Sequence, residues 1–184
     1  MVEQNIFNKV KEWGINLGSC KLPRWESLPL IDLYMDQVLS LLETYLDIYS
    51  ESTGGKTITS SIINNYVKLG IIPPPVKKKY SREHLAYLIM ICVLKQVMPI
   101  AMIKFNIELQ LKLSPLSEVF NQFCEMFERT TKQTLLSAYR DAKAYEGDAV
   151  EFLRKISIKS AVQANASKMI SEKILSAFND ADKN

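Results

Sequence analysis

The residues best suited to do chemistry in this chain are the cations and amides of one segment that has no acids. Between Glu51 and Glu83 the sequence carries no acidic residue. The cations in that interval are Lys56, Lys68, Lys77, Lys78, Lys79 and Arg82. The segment is therefore +6 in a chain of net charge +3, which leaves −3 for all other residues. This local concentration of positive charge predicts a polyanionic partner.

The amides and hydroxyls of this segment extend the prediction from charge to base reading. Asn64 and Asn65 carry the side-chain group that pairs with two atoms of adenine in a DNA major groove. Because they are adjacent, at most one is expected to face base edges. Ser60 and Ser61 fall on the first turn of a predicted helix, where backbone N–H groups favour phosphate. The cations are expected on phosphates, which position a protein without reading sequence. The predicted DNA-binding residues are Ser60, Ser61, Asn64, Asn65, Lys68, Lys77, Lys78, Lys79 and Arg82.

Each of these residues has a simpler interpretation when it is taken alone. The asparagine pair alone is best explained as a solvated helix face, and three lysines alone as a solubilising turn. Tyr66 and Tyr80 are predicted core anchors rather than base contacts. We expect His84 to be a first-turn surface or half-buried residue. It is the order of these residues without an acid that favours nucleic acid.

Other kinds of site have little support. The chain has one histidine, and Cys20, Cys92 and Cys124 are far apart, so neither a nucleophile–base pair nor a metal site is predicted. Gly54-Gly55-Lys56-Thr57 resembles the end of a P-loop, but Ser50 stands where the pattern needs glycine. No cofactor and no enzymatic activity are predicted. The run from Leu85 to Leu94 is too short to cross a bilayer, and the N-terminus lacks a secretion signal. These features predict a cytoplasmic protein with no membrane partner.

Helical periodicity predicts an all-α protein in which seven segments position these residues. A short amphipathic helix over 3–16 should stop at Gly14 or Gly18, and 19–29 should be a linker. A long helix over 30–49 and a loop over 50–56 should follow. Thr57 or Thr59 should cap a helix that ends near Leu69 with Gly70 beyond it. The predicted helices cover 3–16, 30–49, about 59–69, 82–97, 99–113, 115–145 and 148–178.

The helices over 115–178 are predicted to cover the helix that follows Ser81. Ser81 should cap a helix that is apolar nearly all round, which makes it the centre of the fold. Pro99 should occupy the first position of the next segment, where 105–113 alternates like a strand but also fits the helix that we favour. Helices should then start at Ser114-Pro115 and, after a break at Gly147, at Asp148 with a capping box. The tail 179–184 should fray.

The segment 57–103 resembles the winged helix-turn-helix of MerR-type transcriptional regulators. The matching pieces are Asn64-Asn65-Tyr66, Gly70-Ile71-Ile72-Pro73-Pro74, Lys77-Lys78-Lys79, Tyr80-Ser81 with Leu85 and Leu88, and Val97-Met98-Pro99-Ile100. The whole chain also resembles an uncharacterised bacterial family built around this module, through Leu22-Pro23-Arg24-Trp25-Glu26. The resemblance implies a DNA-binding transcriptional regulator with a short wing at most. The recognition helix would be about 59–69 and the basic turn 77–82.

The same resemblance implies how the chain is divided. It predicts an N-terminal helix and linker over 1–27, a helix-turn-helix domain over 28–112, and a C-terminal helical bundle over 113–184. Double-stranded DNA and a second copy of the chain, bound through the C-terminal helices, are the expected partners. The chain departs from the MerR pattern where Asn64-Asn65-Tyr66 replaces Arg-Tyr-Tyr and where the wing lacks its usual glycine. The alternative is therefore a helical protein-interaction module that has lost DNA binding.

Overall fold

A computed structural model of the chain describes residues 2–49 and 58–181. In this part of the chain there are seven α-helices and no β-strands, which confirms the all-α prediction. The helices are α1 (Val2–Ser19), α2 (Met35–Tyr45), α3 (Ser60–Lys68), α4 (Arg82–Leu94), α5 (Ile100–Leu111), α6 (Leu116–Ala144) and α7 (Ala149–Ala181). Two 3₁₀ turns occupy Trp25–Ser27 and Asp47–Tyr49. The predicted loop over 50–56, the P-loop-like Gly54–Thr57 with Lys56, and residues 182–184 lie outside the described residues.

Contacts divide the chain into two compact units. One unit is Lys21–Met126, and the other consists of the chain before and after it. The predicted functional division at residues 28 and 113 stays a prediction.

Helix α4 is the centre of the Lys21–Met126 unit, as its all-round apolar sequence predicted. Its buried residues are His84, Leu85, Ala86, Leu88, Ile89, Met90, Ile91 and Cys92. It packs against α2 and α5. In α5, Ile103 and Ile107 are buried at helical spacing, which confirms the helix over the strand. Pro99 lies one position earlier than predicted, at the N-cap of α5.

The prediction of a long helix over 30–49 is wrong at both ends, over 30–34 and over 46–49. Helix α2 begins only at Met35, because Leu33 forms an antiparallel bridge with Tyr80 instead. The Leu33 N–H donates to the Tyr80 carbonyl at 2.9 Å, and the Tyr80 N–H donates back at 2.8 Å. Leu30, the first residue of the predicted helix, is 84% exposed. The chain enters α2 through a non-helical segment over 30–34, in which Leu33 forms the bridge and Tyr34 has an extended backbone.

The other unit contains α1, the C-terminal part of α6, and α7. Helix α1 passes through Gly14 and Gly18 to Ser19, so the predicted stop at either glycine is wrong. Both glycines face Leu135 of α6, and a Cβ on Gly18 would lie 3.3 Å from its Cδ1 atom. Asp148 caps α7 as predicted, since its Oδ2 atom accepts from the N–H groups of Val150 and Glu151 at 3.0 and 2.9 Å. Helix α7 continues to Ala181, beyond the predicted fraying point at 179.

Candidate nucleic-acid interface

Helix α3 is a short, two-faced helix with defined ends. Thr59 is its N-cap, and its hydroxyl accepts from the Ile62 N–H at 3.4 Å. Gly70 follows the helix with a φ of 62°, and the Ile71 N–H then donates to the Tyr66 carbonyl at 2.9 Å. A left-handed glycine is the residue that this kind of helix end favours. Both predicted signals, the cap and the stop, are therefore confirmed at α3.

The two faces of α3 separate apolar from polar side chains. Ile63 and Tyr66 are buried and hold the helix on the core of the Lys21–Met126 unit, to which it belongs. Burial raises the pKa of the Tyr66 phenol, with a further contribution from Cys92, as expected for a core anchor. The opposite face consists of exposed Ser60, Ser61, Asn64, Asn65 and Lys68. Because these residues recur at spacings of three and four, they share one side of the helix. The structure thus brings the five helical site residues together.

The basic turn is a two-residue hairpin. The N–H of Val76 donates to the Lys79 carbonyl at 3.1 Å, and the N–H of Lys79 donates to the Val76 carbonyl at 2.9 Å. Lys77 and Lys78, the central residues, have φ values of 50° and 62°. Positive φ at both central positions is the pattern of a type I′ turn, which favours asparagine and glycine. Both lysines are exposed. The sequence did not predict this hairpin, because lysine is disfavoured at both central positions of a type I′ turn.

Two of the predicted phosphate ligands have contacts inside the protein. The Nζ atom of Lys79 lies 5.2 Å from the centre of the Tyr34 ring. Arg82 donates from Nη2 to the Leu28 carbonyl at 3.1 Å, and its Cζ atom lies 5.4 Å from the Trp25 ring centre. The Arg82 Nε atom is buried and has no hydrogen-bond partner. Arg82 therefore holds the 3₁₀ turn at Trp25–Ser27 and the residue after it, while Lys77 and Lys78 present their charge to solvent.

The hairpin is anchored by Tyr80, which is buried as predicted. Its backbone pairs with Leu33, and its ring packs edge-on against His84 with a centroid distance of 5.3 Å. Burial raises the pKa of the Tyr80 phenol. Since Tyr80 directly follows Lys79, these contacts fix the end of the hairpin.

The prediction that His84 is a surface or half-buried residue is wrong, because His84 is 5% exposed. It forms a capping box with Ser81 at the start of α4. Burial is the main reason that the pKa of His84 is lowered, against smaller raising effects of the Pro74 and Pro73 carbonyls, Glu83 and Asp32. A capping box usually has glutamate or glutamine at this position, so a histidine here did not indicate one.

Other chemistry is limited in the part of the chain that the structure describes. Over 2–49 and 58–181 there is no group of three His, Cys, Asp or Glu side chains arranged to hold a metal ion. Burial raises the pKa of the Cys92 thiol to about 11, which keeps it protonated. Within the same described ranges, none of the helices combines the length and hydropathy that a membrane span requires.

Comparison with known proteins identifies the chain at the level of a family. The model of a family described as Domain of unknown function (DUF1836) matches residues 23–130, which is more than half of the chain. The matched range contains α3, the hairpin and α4. No curated protein matches the chain, and no solved structure matches it. The chain belongs to the DUF1836 family.

Proposed function

We propose that this protein binds double-stranded DNA through α3 and the Lys77–Lys78 hairpin, as a transcriptional regulator does. The observation that carries the proposal is the exposed face of α3, whose polar side chains are all uncharged or basic. No acid occurs over residues 58–82, which include this face and the hairpin. A surface of this composition attracts phosphate and offers amides to bases.

The size of α3 fits the proposed role. Nine residues at 1.5 Å each give a helix of about 14 Å, which is close to the 12 Å width of the major groove. Its buried face leaves Asn64 and Asn65 free to approach bases, while its N-terminal serines and Lys68 approach phosphates. The hairpin would serve as a short wing, as in the MerR-type proteins that this segment resembles.

Binding should depend strongly on salt. Lys68, Lys77, Lys78 and Lys79 could neutralise about four phosphates, which gives a slope of about −3.6 for log K against log salt. Affinity should therefore fall roughly 150-fold between about 50 and 200 mM salt.

Fluorescence anisotropy with a labelled mixed-sequence duplex measures this salt dependence of the affinity. The control is Lys132→Ala, which removes an exposed lysine on α6. Lys77→Ala/Lys78→Ala should flatten the slope, and Lys132→Ala should not. An unchanged slope in the double variant would refute the role of the hairpin.

A second observation favours self-association through α1, α6 and α7. Among the described residues of that unit, the buried apolar residues are Val150 and Leu175. Its exposed large apolar residues are Ile6, Val10, Trp13, Ile15, Leu136, Tyr139, Ile158, Val162, Met169, Ile170, Ile174 and Phe178. At about 80 Å² each they expose on the order of 1,000 Å², close to what one partner contributes to a standard interface.

The spacing on α7 supports a helix-on-helix contact between two copies. Ile158, Val162 and Met169 are separated by four and seven residues, so they form one stripe, about 120° around the helix from buried Leu175. We propose a homodimer through this stripe. Light scattering should give twice the chain mass of 21.0 kDa, and Ile158→Asp/Met169→Asp should give the monomer. A wild-type monomer at high micromolar concentration would instead favour the alternative, a module that binds another protein.

A further inference from the structure

The capping box at the start of α4 contains a titratable group. His84 is the chain's one histidine. The Ser81 N–H donates to its Nδ1 atom at 3.0 Å, and the Ser81 Oγ atom lies 2.9 Å from the same nitrogen. Glutamate and glutamine keep the acceptor of a capping box at neutral pH and in mild acid. Histidine keeps it only while Nδ1 carries no proton.

The neutral form of His84 is the one that fits the site. Because Nδ1 accepts from Ser81, the ring proton is assigned to Nε2, which is buried; the Pro73 and Pro74 carbonyls lie near the ring without forming a well-aligned hydrogen bond to that nitrogen. The nearby groups that favour the cation of this ring are the Pro74 and Pro73 carbonyls, Glu83 on α4 and Asp32 in the segment before α2. Burial outweighs them, so the pKa of His84 stays below its ordinary value. The neighbouring cation, Arg82, directs its guanidinium to the Leu28 carbonyl.

A continuous set of contacts joins this ring to the hairpin. The Tyr80 ring packs against His84 at an interplanar angle of 81°. The Tyr80 backbone is held by Leu33, and the residue before it, Lys79, closes the hairpin with Val76. These contacts provide a route from the His84 site through Tyr80 to the residues that present Lys77 and Lys78.

We propose that protonation of His84 is an acid switch that opens the Ser81 capping box, displaces Tyr80 and the hairpin, and weakens DNA binding. This proposal rests on the proposed DNA-binding function and describes how pH would regulate it. Protonated Nδ1 becomes a donor that faces the Ser81 N–H donor, so that backbone group loses its acceptor. The predicted change in DNA affinity is opposite in direction to the effect of the added charge alone. An added positive charge by itself strengthens binding to a polyanion, whereas the switch weakens it.

The test compares the wild type with His84→Gln, which keeps a capping-box acceptor and cannot take up this proton. NMR of the protein without DNA follows the His84 ring and the amides of 76–80 from about pH 7.5 to 5. Anisotropy with the mixed-sequence duplex follows affinity over the same range. We expect the NMR signals of the hairpin amides to shift together with those of the ring in the wild type, and to stay unchanged in His84→Gln.

One linked proton changes an equilibrium constant by at most about tenfold per pH unit. The wild type should therefore lose up to about tenfold per unit below the pKa of His84, and the variant less than about twofold.

The NMR and anisotropy measurements together distinguish failure of the proposed switch from failure of the proposed DNA-binding function. If the duplex does not bind at about pH 7.5, the proposed function and the DNA readout of the switch both fail. If the duplex binds and both proteins lose affinity in parallel, only the switch is overturned. Hairpin amides that do not follow the ring would overturn it as well. Should His84→Gln fold poorly, His84→Glu supplies a second variant, whose transition should move to the lower pH at which glutamate titrates.

Discussion

Lys77 and Lys78 occupy a backbone conformation that opposes their residue type, so replacing them should change stability and binding in opposite directions. Their φ values of 50° and 62° are left-handed, which costs a non-glycine residue about 1–2 kcal/mol. Asparagine tolerates this region and glycine adopts it without strain, although glycine loses about 0.5–1 kcal/mol more backbone entropy on folding. The variant Lys77→Asn/Lys78→Gly should therefore raise the free energy of unfolding by about 1–2 kcal/mol. For a chain of this size the midpoint of thermal unfolding should rise by roughly 3–6 °C.

The same variant removes two cations from the proposed interface. Losing two phosphate contacts should reduce the salt slope by about 1.8, which corresponds to a loss of roughly fiftyfold in affinity near 0.1 M salt. Calorimetry gives the stability and anisotropy gives the affinity. Lys77→Arg/Lys78→Arg keeps the charge and the backbone strain, so neither quantity should change much. Lys77→Ala/Lys78→Ala should weaken binding without stabilising the fold. An Asn-Gly variant that is no more stable than the wild type would refute the strain argument, and one that binds DNA equally well would refute the interface.

Three further predictions concern single residues. Asn65→Ala should lower discrimination at one A·T base pair by about 1–3 kcal/mol but leave affinity for mixed sequence nearly unchanged; loss on all duplexes alike would contradict base reading. Gly70→Ala should destabilise the protein by about 1–2 kcal/mol in urea denaturation, because its φ is 62° and its new Cβ would meet only the Lys104 Nζ atom, at 3.7 Å. A destabilisation near zero would show that the backbone there relaxes freely. The Cys92 thiol, whose pKa burial raises to about 11, should react with a thiol reagent only as the protein unfolds; rapid labelling in native buffer would be inconsistent with its burial.

Local signals in the sequence predicted much of the fold. Thr59, Gly70, Ser81 and Asp148 mark helix ends through short-range hydrogen bonds and backbone preferences, so their roles could be predicted from neighbouring residues. The apolar run of α4 likewise required burial on several sides, and α4 is buried.

The features that the sequence did not predict depend on contacts between distant residues. The start of α2 is set by the pairing of Leu33 with Tyr80, which no local pattern indicates. Arg82 donates to the Leu28 carbonyl, 54 positions away, so its charge alone could not show that it serves the fold. His84 is buried beside the Tyr80 ring and near the Pro73 and Pro74 carbonyls, and its position in the helix alone did not indicate these contacts.

The predicted site residues illustrate the same distinction. Their exposure on one face of α3 follows from helical spacing alone and was predictable. The geometry of Lys77 and Lys78 was not, since a type I′ turn at two lysines contradicts residue preference and becomes visible only in the backbone.

Selection of bound duplexes from a random pool tests the central claim most directly. If α3 reads DNA, the wild-type protein should enrich a consensus that contains an A·T pair, and Asn64→Ala/Asn65→Ala should lose that preference while keeping salt-dependent binding. A dimer should enrich two half-sites in inverted orientation. Failure to enrich any sequence, together with no salt-dependent affinity for any duplex, would contradict the proposal that this surface binds DNA.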